Sequence, residues 1–244
     1  MKDATGNDAT WNKREIHKAA AERIEEITKE FTGGFKFLED YPRSVTFFGA
    51  NQFREDNKFY ADARQLAARV VKDLGYSVIS GGGPGIMEAA NRGAFEAGGE
   101  SLGLLIKLPT DQIINKFITA SFSSYYFFVR KVCLTFSSEA FIFYPGGFGT
   151  LDEFFEIVTL VQTRKIAGIP IICVGSEYWM ELKAFMDKEL VARGTISAND
   201  IDIFRIVDDH DEIIKIIKEV PVHTSLPFNK DTNIQTDGVK QETL

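Results

Sequence analysis

From Val45 to Val220 the chain alternates short apolar runs, rich in Val, Ile and Phe, with longer stretches whose apolar positions recur at helical spacing. The runs predict strands over Val45–Phe48, Tyr76–Ile79, Ser101–Leu108, Phe141–Tyr144, Ile169–Val174 and Ile203–Ile206. The periodic stretches predict helices over Asn57–Leu74, Gly85–Ala97, Tyr125–Phe136, Leu151–Arg164, Glu177–Arg193 and Asp209–Val220. Strands that alternate with helices join through right-handed crossovers, so the pattern predicts a doubly wound α/β fold with a mainly parallel sheet and helices on both faces. Ahead of it, Ile16, Ala19, Ala20, Ile24 and Ile27 give a partial apolar stripe to a helix over Lys13–Phe31. Gly33-Gly34 then predicts a break before a short segment over Phe35–Leu38. The expected organisation is an N-terminal tail and helical arm over 1–43, the α/β domain over 44–220, and a polar tail over 221–244, with both ends frayed.

Two glycine-rich turns punctuate this pattern, Gly81-Gly82-Gly83-Pro84-Gly85 and Pro145-Gly146-Gly147-Phe148-Gly149-Thr150. Each follows an apolar run and precedes a helical one, which makes it a strand-to-helix loop that aims bare backbone N–H groups and the positive end of a helix dipole at an anion. Tight turns and close helix–sheet packing would also account for either loop alone. Two loops on one sheet edge favour a phosphorylated, nucleotide-like ligand. Ligands of open parallel sheets bind beyond the carboxyl ends of the strands, which places Gly49-Ala50-Asn51, both glycine loops and the 107–124 stretch around one crevice.

Composition narrows the chemistry. The 244 residues, 44% of them hydrophobic, suffice for a substantial core. No run approaches the roughly 20 apolar residues of a membrane span, and the start carries no apolar signal region, so a cytoplasmic address is expected. A net charge of −7 argues against a non-specific hold on nucleic acid. Cys133 and Cys173 sit in apolar segments and read as buried small hydrophobes, and no His, Cys, Asp or Glu spacing suggests a metal site.

Neither loop is a dinucleotide fingerprint: Ile86 and Asp152 stand where a third glycine would be needed. The absence of a Gly-Lys pair removes the phosphate-binding loop of ATPases. After the second loop, Thr150-Leu151-Asp152-Glu153 matches a capping box, with Thr150 as N-cap and Glu153 reaching back. The alternative reading of Glu153 follows from the helix face. Leu151, Phe154, Phe155, Val158 and Val161 form the apolar stripe, leaving Glu153 off it and able to face the crevice. In the preceding helix the seam is Val129, Val132, Cys133 and Phe136. Arg130-Lys131 beside it is either a solvated basic pair or a cationic site for phosphate or carboxylate. Ten Phe lie between Phe117 and Phe155; most read as core, and some could stack on a base.

With these residues in view, the chain resembles the LOG family, the cytokinin-riboside-monophosphate phosphoribohydrolases formerly labelled lysine decarboxylases. Its hallmark, Pro-Gly-Gly-x-Gly-Thr-x-x-Glu, is present as Pro145 through Glu153, its first glycine loop as Gly81-Gly82-Gly83-Pro84-Gly85-Ile86-Met87-Glu88, and its Arg-Lys pair as Arg130-Lys131. One departure is Ala50, where many relatives carry Ser. The resemblance implies a modified Rossmann-like fold and hydrolysis of the N-glycosidic bond of a nucleoside 5′-monophosphate to free base and ribose 5-phosphate, without a cofactor. By position it implies Arg130 and Glu153 as the catalytic pair. It implies nucleotide and phosphate binding by Gly49, Gly82, Gly83, Glu88, Lys131, Gly146, Gly147, Gly149 and Thr150, and a homodimer or larger homo-oligomer.

Pyridoxal phosphate chemistry needs a lysine for the Schiff base. The one His-Lys pair, His17-Lys18, lies in the N-terminal helix far from either loop, so decarboxylation is not expected. The competing reading is a non-catalytic nucleotide or molybdenum-cofactor carrier of the same fold, between which fold alone cannot choose.

Overall fold

The computed structural model describes residues 13–109, 113–166 and 168–220. Both predicted tails therefore lie outside the described residues, apart from the helical arm. The elements in chain order are α1 (Lys13–Glu39), β1 (Ser44–Phe48), α2 (Lys58–Arg69), β2 (Ser77–Ser80), α3 (Ile86–Glu96), β3 (Ser101–Ile106), β4 (Ala120–Ser124), α4 (Phe127–Phe136), β5 (Ser138–Phe143), α5 (Phe148–Gln162), β6 (Ile171–Cys173), α6 (Ser176–Phe185), β7 (Phe204–Ile206) and α7 (His210–Lys218). All seven strands run parallel in the order β4-β3-β2-β1-β5-β6-β7.

Alternating strand positions feed two cores. Val45, Phe47, Ile142 and Tyr144 pack with α2, α3 and α7 on one face. Phe48, Phe141, Phe143 and Ile171 pack with α1, α4, α5 and α6 on the other. A parallel sheet covered on both sides needs apolar residues at consecutive positions, and β1, β2, β3, β5 and β6 are buried along their whole length. Cys133 and Cys173 are free and buried, as the sequence suggests. No helix among the described residues is long and apolar enough to cross a membrane.

Two sequence expectations are corrected. Gly33-Gly34 does not break the arm: α1 runs on to Glu39. A Cβ on Gly34 would lie 2.6 Å from Cys133 Sγ, and one on Gly33 would lie 3.0 Å from Phe122 Cε2, so these glycines let α1 lie close against α4 and β4. The contact offsets the roughly 1 kcal/mol that each glycine costs a helix interior. The second correction is β4, within the 107–124 stretch read as loop. Its Ala-Ser-Phe-Ser-Ser sequence forms the sheet edge, where only Ser124 is fully buried, so it lacks the apolar run that marks the inner strands.

Candidate functional site

After β1 the chain winds toward β2, β3 and β4; after β5 it winds toward β6 and β7. The loops leaving β1 and β5 therefore diverge and open a crevice at the topological switch point. The two strand ends are tied by Tyr144 N–H to Phe48 O at 2.9 Å and Ala50 N–H to Pro145 O at 3.0 Å. Above them sits a cavity of about 380 Å³. Among the residues predicted from sequence, Gly49, Arg130, Gly147, Gly149, Thr150 and Glu153 line it. Gly81 and Phe148 of the two glycine loops and Met87 of the first-loop motif line it too, although the sequence assigned them no individual role. Gln52 also lines it and was missed, its one sequence signal being adjacency to Gly49-Ala50-Asn51.

The helix start differs from the capping-box reading. Gly147, not Thr150, is the N-cap of α5, so Thr150 is buried inside the first turn and Glu153 comes one turn into the helix. Glu153 is thereby released from capping and meets the cavity. At the start of α5 the first-turn amides have no intrahelical acceptors. A Cβ placed on Gly147 or Gly149 would meet nothing within 4 Å, so packing does not require either glycine. What they leave is bare, accessible backbone at a helix N-terminus, the arrangement that accepts a phosphate.

Arg130 reaches the cavity from α4. Its Nε donates to Leu104 O at 2.7 Å and its Nη1 stands 3.5 Å from Glu153 Oε1. Gly81 makes room for it, since a Cβ there would fall 2.2 Å from Arg130 Nη2. Both charged side chains are largely buried, 11% and 18% exposed. Burial pushes the Glu153 carboxyl up to about 7; Arg130 and Lys131 oppose the shift, while Asp152 and Glu156 add to it. Burial also lowers the Arg130 guanidinium from its usual value, against the pull of Glu153. The arrangement can hold an anion at the α5 amides and place a carboxyl that titrates near neutrality beside a fixed cation.

Five predicted residues do not line this cavity. Lys131 points the other way, its ammonium 2.8 Å from both Asp152 and Glu156. Glu88 lines a neighbouring cavity and accepts a hydrogen bond from Tyr60 Oη at 2.9 Å. Gly146 gives its carbonyl to Tyr178 Oη at 2.8 Å, and Thr150 Oγ1 would lie 2.2 Å from a Cβ on it, so it serves packing. Gly82, at φ +74°, and Gly83 accept through their carbonyls from the backbone and side-chain amides of Asn115. On α5, Phe154 is buried as expected, but Phe155 is 37% exposed. Phe127, Phe128 and Phe148 also face out, as does Val132 of the α4 seam. No group of three or more His, Cys, Asp or Glu among the described residues is placed to hold a metal.

The chain is 28% identical over 189 residues, 75% of its length and 87% of the relative's, to the probable cytokinin riboside 5′-monophosphate phosphoribohydrolase LOGL3 of Oryza sativa subsp. japonica. It is 28% identical over 184 residues, 74% of its length and 85% of the relative's, to the cytokinin riboside 5′-monophosphate phosphoribohydrolase LOG1 of Arabidopsis thaliana. In fold it resembles the molybdenum cofactor binding protein of Rippkaea orientalis, with a TM-score of 0.54, 20% identity, and coverage of 72% of this chain and 94% of that one. It also resembles the molybdenum cofactor carrier protein of Chlamydomonas reinhardtii, with a TM-score of 0.50, 19% identity, and coverage of 73% and 98%.

A family model described as "Possible lysine decarboxylase" matches residues 87–217. The chemistry in that description does not fit the cavity, whose lining among the described residues includes no lysine to carry a pyridoxal Schiff base. Lys18 is exposed on α1, with Glu22 3.9 Å away. Since the match takes in more than half of the chain, including α4 and α5 with the Arg130–Glu153 pair, the chain belongs to this family, the LOG family.

Proposed function

We propose that this protein hydrolyses the N-glycosidic bond of a nucleoside 5′-monophosphate, releasing free base and ribose 5-phosphate. The observation that carries this reading is the Arg130–Glu153 pair at 3.5 Å in the same cavity as the open amides of α5. The 5′-phosphate would sit on the Gly147–Thr150 amides, which places the ribose beside Glu153. As the C1′–N bond breaks, its electron pair leaves with the base and positive charge develops on the ribose. Ionised Glu153 would stabilise that charge and accept a proton from the water that attacks C1′; passing that proton on to the departing base would restore the carboxylate and complete the free base. Arg130 would fix the substrate and offset the charge of the departing base. Preorganised charges of this kind contribute about 3–4 kcal/mol each to a barrier.

The similar phosphoribohydrolases support the reading through their names, which specify cytokinin riboside monophosphates. The test is to incubate the purified protein with AMP, GMP, CMP, UMP and isopentenyladenosine monophosphate beside Arg130→Ala and Glu153→Gln variants, and to measure free base and ribose 5-phosphate by chromatography. Base release by the parent, sharply reduced in both variants, is the expected result. Binding without release would give first place to the carrier reading.

The oligomeric reading enters here too: exposed Phe127, Phe128, Phe148 and Phe155 on α4 and α5 leave apolar area that a second copy would cover. Light scattering should then give a mass of at least two chains.

A further inference from the structure

The helix that carries Arg130 begins without a cap of its own, since the Tyr126 side chain makes no capping hydrogen bond. The acceptor comes from α1. Glu30 takes the Tyr125 amide on Oε1 at 2.7 Å and the Tyr126 amide on Oε2 at 3.1 Å. A carboxylate across two amides at the positive end of a helix satisfies donors that the helix itself cannot and is attracted by the dipole. The Tyr126 carbonyl in turn accepts from the Arg130 amide at 3.2 Å, so Glu30 holds the turn on which Arg130 stands.

The rest of the seam registers the two helices. Arg23 lies 5.5 Å over the Tyr126 ring, and the rings of Phe35 and Phe136 are 4.5 Å apart. Gly34 packs on Cys133. Glu30 is not in the cavity lining, yet a small slide of α4 changes the one separation on which the site turns, Arg130 to Glu153.

We propose that Glu30 is a positioning residue: by clamping the Tyr125 and Tyr126 amides it sets the approach of Arg130 to Glu153, which makes the N-terminal helix part of the catalytic apparatus. The kinetic half of this proposal rests on the hydrolase reading above; the geometric half does not.

The experiment uses the full chain labelled with carboxyl-¹³C glutamate, with the Glu153 resonance assigned by its loss in Glu153→Gln. In Glu30→Ala the attraction of Arg130 recedes, so the Glu153 titration midpoint should rise by about half a unit or more. Deleting the negative charge of Glu30 through space would act in the opposite direction, so a rise reports displacement. On AMP, kcat/KM should fall about tenfold, as small misplacements of reacting groups do. Glu30→Gln, which keeps one acceptor oxygen, should lie between the parent and Glu30→Ala in both midpoint and rate. A midpoint that stays or falls in folded Glu30→Ala overturns the proposal. If that variant does not fold, Glu30→Gln carries the test, with a smaller rise expected and its absence fatal. A parent that releases no base would refute the hydrolase reading, while the titration would still decide the role of Glu30.

Discussion

Arg130 and Glu153 form an ion pair in which burial outweighs attraction. At 3.5 Å the guanidinium lowers the Glu153 carboxyl pKa, but desolvation raises it further, and the net result is a midpoint of about 7. Lys131, one residue along α4, sits 2.8 Å from two carboxylates nearer the surface, where water shares the cost of charge. A carboxyl that titrates at neutrality beside a phosphate-ready helix end has consequences for stability and for rate.

For stability, the folded-state midpoint near 7 lies above the ordinary 4.5, so the native protein binds the Glu153 proton more tightly than the unfolded chain does. The sign is that stability declines as pH rises from about 4.5 to 7 and is level above it. Glu153→Gln removes this penalty. The variant should be more stable than the parent at pH 8, by up to about 3 kcal/mol, with the difference vanishing near pH 4. Chemical denaturation across that range measures it.

For rate, the proposed role of Glu153 requires the carboxylate. The kcat/KM of base release should climb with pH to a plateau, with a midpoint near the 7 of the free protein. Arg130→Ala should lower kcat by about 10²–10³ and move any residual profile to higher pH, because Arg130 opposes the upward shift. A bell or a fall toward alkaline pH would refute the assigned state.

Gly81→Ala separates site from fold. The new Cβ would meet Arg130 Nη2 at 2.2 Å and Met87 Sδ at 2.7 Å, the far ends of two flexible side chains, so the fold can yield while the guanidinium moves. Activity should fall at least about tenfold with little change in the midpoint of thermal melting.

Gly149→Ala should trade ligand for stability. Open space surrounds that position inside the first turn of α5, so alanine should gain about 0.5–1 kcal/mol from helix propensity. The same methyl intrudes where the phosphate would approach. Calorimetry with AMP should show weaker binding to the more stable variant.

Asn91→Ala tests the scaffold beneath the first loop. Buried Asn91 receives Ser80 Oγ and Asn115 Nδ2 on its oxygen and donates to Ser101 Oγ and Leu102 O. Each orphaned buried partner costs roughly 1–3 kcal/mol, so a loss of at least about 2 kcal/mol in urea denaturation is expected.

The sequence by itself determined six of the seven strands, because strands buried on both faces must be apolar at successive positions and their helices must keep one apolar stripe; the edge strand β4, without such a run, was legible only in the structure. It also located the two glycine loops and marked Arg130 and Glu153 as the residues to watch. Local pattern misled where the fold overrode a local preference. Gly33-Gly34 is a break in sequence and a close contact once Phe122 and Cys133 lie against it. Thr150 is a good cap, yet α5 starts at Phe148. Only the tertiary structure decided that Arg130 meets Glu153 across 23 positions, that Lys131 and Glu88 turn to other partners, and that Glu30 caps a helix 95 positions away. Such pairings depend on how helices settle over a common sheet, and the resulting burial raises Glu153 to about 7, a property of its surroundings that no local run of residues encodes.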